Sequence, residues 1–257
     1  MIVHEFADDI GSYGLFLKQQ GITPHVFLAP ETDFAALDAR IPDVVIVMGG
    51  PMGVYEAGQY AWMNPELDFI ARRIAADKPL LGVCLGSQMI AHVLGAPVFK
   101  GSQGKEIGWH PVAMNDAGML GPLRHLDQSN TLVTQWHGDT FLLPSQAVLL
   151  GSSRKYENQA YSYGRNVMAV QFHPEMTADV FARWMLDTGN ELPEVNGDRA
   201  ALAIQSRKNG PGLLKGNFNF FAGWLADVSP HTLVKADNDI DDAKATRLYA
   251  PKLTPAA

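Results

Sequence analysis

Residues 43–48, Asp-Val-Val-Ile-Val-Met, form an almost unbroken β-branched and apolar run, which fits a strand buried on both faces. Such a strand belongs in a parallel sheet with helices packed on each side. The surrounding chain alternates accordingly. Residues 2–6 and 25–29 read as strands, 13–20 as a helix closed by Gly21, and 34–40 as a short helix. Residues 65–77 read as a helix with Pro65 near its first turn, and 79–83 as a second apolar strand. The first half therefore predicts an α/β fold: a doubly wound, open, mostly parallel sheet flanked by helices, with ligands at the carboxyl ends of its strands.

Beyond Gly95 the segments shorten, and Gly, Pro and polar residues punctuate them. Residues 107–114, 131–136, 147–152, 159–163 and 167–172 read as strands of a small antiparallel element, one pair turning at Tyr163-Gly164-Arg165-Asn166. Residues 177–187 return to helix. A Pro/Gly/Asn-rich hinge over 189–198 divides the chain into a body of residues 1–188 and a C-terminal extension of residues 189–257. The extension reads as a helix over 199–208, a break at Asn209-Gly210-Pro211-Gly212, an amphipathic aromatic stretch over 218–225 and an irregular tail over 236–257. The aromatic stretch can pack on the body or meet a second copy of the chain.

Composition narrows the function. With 47% hydrophobic and 18% charged residues, the chain of 257 residues can bury a full core. Its formal charge of −7 and the lack of a basic stripe argue against nucleic-acid or anionic-membrane partners. The amino terminus lacks a positively charged n-region, and no stretch approaches a transmembrane length. A single cysteine rules out an internal disulfide or cysteine-rich zinc site, which suits a reducing cytoplasm.

That cysteine, Cys84, lies in Gly82-Val83-Cys84-Leu85-Gly86-Ser87-Gln88, where an apolar strand ends on a thiol and turns into a helix spanning 87–94. Flanking glycines suit a nucleophile held in a strained elbow, and a helix N-terminus favours thiolate. A lone G-x-C-x-G fits a buried structural cysteine equally well. The base that a thiol nucleophile needs is available in Gln171-Phe172-His173-Pro174-Glu175, where His173 follows an apolar strand and Glu175 can reach back to its imidazole. Met48-Gly49-Gly50-Pro51-Met52-Gly53 follows the buried strand; the Gly50 N–H, with the Leu85 N–H, could supply the donors that an acyl-transfer oxyanion requires. The remaining histidines, His4, His25, His92, His110, His125 and His231, lack metal-ligand spacing.

Together with Trp136-His137-Gly138-Asp139, these segments, in this order, resemble the class I glutamine amidotransferases of the Cys-His-Glu triad type, above all the glutaminase domain of GMP synthase and its stand-alone relatives. The likeness spans about residues 44–176. It implies glutamine hydrolysis, with Cys84 as nucleophile, His173 as acid and base, Glu175 orienting His173, and Gly50 and Leu85 holding the oxyanion. By position it also implies that Gly53, Gln88, Gln135 and Trp136 hold the substrate's α-amino and carboxylate ends. His137 reads as a loop histidine pinning Asp139 or nearby backbone. No cofactor or metal is implied.

Such a glutaminase serves an ammonia-consuming synthase, yet the chain has no Walker-type phosphate loop and no pyrophosphatase-like signature. The expected partners are therefore glutamine or another γ-glutamyl compound, a homodimer mate and a separate ammonia-accepting synthase subunit. A free-standing γ-glutamyl peptidase is the alternative enzyme. A catalytically silent regulatory domain is a third reading, but it would be marked by loss of nucleophile, base or orienter, and all three are present.

Overall fold

The structure, a computed structural model, describes residues 1–6, 10–187, 189–195, 197–229 and 240–250. In chain order its elements are β1 (Ile2–Val3), α1 (Gly11–Gln19), β2 (Phe27–Leu28), β3 (Val45–Val47), α2 (Met63–Ala75), β4 (Leu80–Val83) and α3 (Leu85–Val93). There follow β5 (Val98–Lys100), β6 (Glu106–His110), β7 (Ala113–Met114), α4 (Asp116–Leu120), β8 (Val133–His137), β9 (Asp139–Phe141), β10 (Val148–Ser152), β11 (Ala160–Tyr163) and β12 (Val167–Val170). Three helices close the series: α5 (Ala178–Asp187), α6 (Arg199–Val228) and α7 (Asp242–Tyr249).

Eight strands form the main sheet in the order β2-β1-β3-β4-β12-β11-β10-β7. The first five run parallel, and β11, β10 and β7 continue the sheet antiparallel. The β-branched run becomes β3, buried on both faces as its composition requires. Two small antiparallel pairs, β5 with β9 and β6 with β8, lie outside this sheet. The strand order places β3, β4 and β12 side by side, although β12 arrives more than eighty positions after β4.

Where helix was expected over 34–40, the chain makes only turns. The carbonyls that a helix would satisfy internally are taken by arginines of α2. Arg72 donates to Phe34 O and Leu37 O, while the buried Arg73 donates to Ala39 O, Pro42 O and Asp43 O. Asp33 and Asp38 add side-chain acceptors that favour turns over helix.

The expected break at Gly210-Pro211-Gly212 is also absent: α6 runs unbroken through Pro211. A proline inside a helix costs about 3 kcal/mol, and tertiary packing outweighs it here. Leu213 and Leu214 are buried, and Gly210 leaves room for the Tyr249 ring of α7, which would lie 1.9 Å from a Cβ at that position. Residues 242–249, expected to be irregular, form α7, capped by Asp241, whose side chain accepts from Lys244 N–H. The rest of the expected tail, residues 236–239 and 251–257, lies outside the described residues.

The aromatic stretch of α6 packs on the body. Phe218 and Phe221 meet Phe16 edge-on, Phe221 tilts against Tyr13, and the Asn217 amide donates to Ser12 Oγ at 2.7 Å. Phe221→Ala is expected to lower unfolding free energy by about 3–5 kcal/mol, measured by urea denaturation. A loss below about 1 kcal/mol would show that this face does not support the core.

Candidate active site

Cys84 follows β4 and precedes α3, with φ 50° and ψ −108°, a backbone state that L-residues rarely adopt. The flanking glycines explain how it is held. A Cβ at Gly86 would lie 2.1 Å from Val47 O, and one at Gly82 would lie 2.7 Å from Gly86 O. Glycine at both positions lets α3 press onto β3 and β4, and the Gly86 N–H donates to Met48 O. This contact fixes the elbow.

On one side of Cys84, β3 delivers Gly49 and Gly50. On the other, β12 delivers His173, whose backbone N–H donates to Thr134 O at 2.8 Å. The His173 Nδ1 lies 2.7 Å from Glu175 Oε1, leaving the other ring nitrogen for a second partner. A Cβ at Gly49 would be 2.8 Å from His173 Cε1 and 3.3 Å from Cys84 Cβ, so imidazole and thiol flank the same glycine. Glu175 is itself pinned, since its carbonyl accepts from the Ser12 N–H at the start of α1, where Gly11 takes φ +49°. Trp184 of α5 meets the His173 ring at right angles, with centroids 4.7 Å apart.

Burial disfavours a charged His173, but the charges of Glu175 and Cys84 outweigh it and raise its pKa from 6.5 to about 10. The imidazolium is therefore the favoured form at neutral pH. Sγ lies 3.6 Å from Gln171 Nε2 and 3.9 Å from Trp136 O. Gln88 Nε2 donates to Gln171 Oε1 at 3.0 Å, which turns the Gln171 amide nitrogen toward the sulfur. Neither the Gly50 N–H nor the Leu85 N–H donates a hydrogen bond among the described residues, and Gly50 packs against the Leu85 side chain.

These groups border a cavity of about 330 Å³. Gly53, Gln88 and Trp136 line it. Gly53 N–H is already taken by Glu56 Oε2 at 2.7 Å. Gln135 does not reach the cavity: its buried amide donates to Gln159 Oε1 because β8 turns it to the opposite face from Trp136. His137 Nδ1 lies 2.9 Å from Asp139 O and its Nε2 3.2 Å from the buried Glu106 carboxylate, a bracing arrangement. Burial pushes the Glu106 carboxyl up, but hydrogen bonds from His137 and Ser153 outweigh it and hold it below its usual range. At the rim, Lys105 pairs with Glu191 and Glu194 at 2.8 and 2.9 Å, tying the start of the extension to the mouth. Among the described residues, no cluster of three or more His, Cys, Asp or Glu is arranged to hold a metal ion, and no helix is long and apolar enough to cross a membrane.

Sequence reasoning assigned no role to Gln171 or Trp184. Gln171 was visible inside its motif, but its contact with sulfur depends on Gln88. Trp184 lies in the expected helix over 177–187, and no local signal there sets it beside His173.

The family model for glutamine amidotransferase class-I matches residues 16–189. The chain belongs to the class I glutamine amidotransferase family. A glutamine amidotransferase structure from Thermotoga maritima superposes with a TM-score of 0.79 and 31% identity, covering 87% of this chain and 96% of that one. The glutamine amidotransferase-like protein YfeJ of Salmonella typhimurium is 30% identical over 201 residues, 77% of this chain and 84% of YfeJ. A glutamine-hydrolyzing GMP synthase subunit of Sulfurisphaera tokodaii is 33% identical over 164 residues, 62% of this chain and 80% of that protein. The relatives also include γ-glutamyl peptidase 4 of Arabidopsis thaliana, 29% identical over 46% of this chain and 49% of the peptidase.

A raised His173 pKa stabilises the fold fully below the unfolded-state value of 6.5, and this contribution is lost as pH rises through about 10. The stability advantage of wild type over His173→Gln, from urea titrations across that range, is expected to shrink steadily with pH. A pH-independent difference would contradict the shift.

Proposed function

We propose that the protein hydrolyses the side-chain amide of glutamine through a thioester on Cys84. The observation that carries this reading is the placement of one imidazole between Glu175, at 2.7 Å, and the thiol at the strained elbow. His173 holds the thiol proton as imidazolium, and the Cys84 thiolate attacks the amide carbon. A C–S bond forms as the carbonyl electrons move onto oxygen, where the Gly50 and Leu85 N–H groups receive the oxyanion. Collapse breaks the C–N bond, and His173 gives its proton to the departing ammonia. Water then attacks the thioester while His173 takes its proton; collapse releases glutamate and restores the thiol. Glu175 keeps Nδ1 protonated and the ring in register.

In this reading Gln171 donates to the sulfur, and Gln88, besides bracing Gln171, shares the substrate pocket with Gly53 and Trp136. Gln135 contributes only through the backbone of its segment. Residues 189–257 act as an extension whose aromatic face completes the core of the 1–188 body, and the enzyme works in the cytoplasm beside a synthase subunit that consumes ammonia.

A second reading, hydrolysis of other γ-glutamyl amides, is favoured by the γ-glutamyl peptidases among the relatives. It uses the same steps with a larger amine leaving. Incubation with glutamine and, separately, γ-glutamyl dipeptides, with glutamate and the released amine both quantified, separates the two. Cleavage of dipeptides without ammonia release from glutamine would discard the first reading. Cys84→Ala is expected to lose at least about a thousandfold in turnover while still folding, as shown by a cooperative urea transition. Activity near wild type in that variant would defeat both readings.

A further inference from the structure

β1 ends at Val3, and the next residue, His4, is buried beneath the turn that follows β3. Its Nδ1 lies 2.8 Å from Gly49 O, and its Nε2 lies 3.3 Å from Oε1 of Glu66, in the first turn of α2. Both side chains are fully buried. The Gly49 carbonyl can only accept, so Nδ1 must carry a proton. Glu66 then either accepts from a protonated Nε2 or, as a carboxylic acid, donates to a bare one. Either way the pair retains one proton more than a neutral imidazole beside a bare carboxylate.

Gly49 C=O and Gly50 N–H belong to one trans peptide unit, so they point in opposite directions. A bond that fixes Gly49 O on the His4 side therefore fixes Gly50 N–H on the other. Two consecutive glycines give this peptide little conformational preference of its own. The imidazole has little freedom to move: the Trp62 ring lies 5.3 Å from it, and the Gly50 backbone packs against His4 Cβ.

We propose that His4, braced by Glu66, is a positioning residue that locks the Gly49–Gly50 peptide with its N–H aimed at the developing oxyanion. The inference rests on the proposed role of Gly50 as an oxyanion donor. A buried His–Glu pair is weak evidence for stability, and Glu66 Oε2 has no hydrogen-bond partner among the described residues. A locking function accounts for retaining so costly a pair at this place. The His4 pKa runs in the same direction: burial lowers it, but the charge and hydrogen bond of Glu66 outweigh burial and raise it.

Two reactions of Cys84 test the lock without requiring γ-glutamyl recognition. Alkylation by iodoacetamide displaces iodide at a tetrahedral carbon and develops no oxyanion. Acetylation by p-nitrophenyl acetate passes through a tetrahedral oxyanion. In His4→Ala, acetylation is expected to fall about tenfold or more, since removing a whole oxyanion donor costs about a hundredfold to a thousandfold. Alkylation should stay within about twofold, which also reports an intact elbow. His4→Asn, whose amide nitrogen falls near the Nδ1 position, should restore much of the acetylation rate. The proposal is overturned if both rates fall together, if neither changes, or if Asn behaves like Ala. If wild-type Cys84 is acetylated normally but no γ-glutamyl amide is hydrolysed, the substrate reading fails and the lock does not. Failure of the wild type to be acetylated overturns the oxyanion site and the lock with it.

Discussion

The close approach of α3 to β3 is the constraint on which the site depends. Gly86 sits where any side chain would meet the Val47 carbonyl, and the helix can therefore start immediately after Cys84. The cysteine pays for that proximity with a backbone state costing about 1–3 kcal/mol. In return its side chain stands at the carboxyl end of the central strand, between the loop after β3 and the histidine after β12. Parallel strands in the order β3-β4-β12 deliver three distant segments to one edge. Any substitution that lifts α3 off the sheet would separate them.

Three buried His–Glu pairs surround this elbow, each doing different work. His173 with Glu175 faces the thiol, His4 with Glu66 underlies the Gly49–Gly50 turn, and His137 with Glu106 supports the turn between β8 and β9. In the last two, the second ring nitrogen meets a backbone carbonyl, Gly49 O or Asp139 O. Buried charge costs several kcal/mol per ion unless paired and hydrogen-bonded. Here the pairing braces backbone that borders the cavity, at Gly49, His137 and Asp139.

The sheet and the segments around Cys84 and His173 were legible because each depends on local signals: a β-branched run, glycines flanking a thiol, and a histidine at a strand end. Other features depended on partners distant in sequence. The turns at 34–40 exist because Arg72 and Arg73 take the carbonyls of that segment, and α6 crosses Pro211 because α7 and the body pack on both sides of it. The short strands β5 and β9 are defined by pairing rather than by pattern. His4 was visible only as a histidine without metal spacing, and Glu66 only as one residue of the expected helix over 65–77. Their meeting is a tertiary fact. Gln135, one residue from a lining tryptophan, shows how strand alternation turns neighbouring residues to opposite faces.

In the proposed reaction, glutamine and any other γ-glutamyl donor that the site accepts pass through one thioester on Cys84. Partitioning of that intermediate tests it most directly. With hydroxylamine at fixed concentration, the ratio of γ-glutamyl hydroxamate to glutamate should be the same whether the donor is glutamine or γ-glutamyl p-nitroanilide, because the leaving group has gone before the nucleophiles compete. A ratio that changes with the donor, or glutamate formation with no hydroxamate from either, would contradict a common thioester.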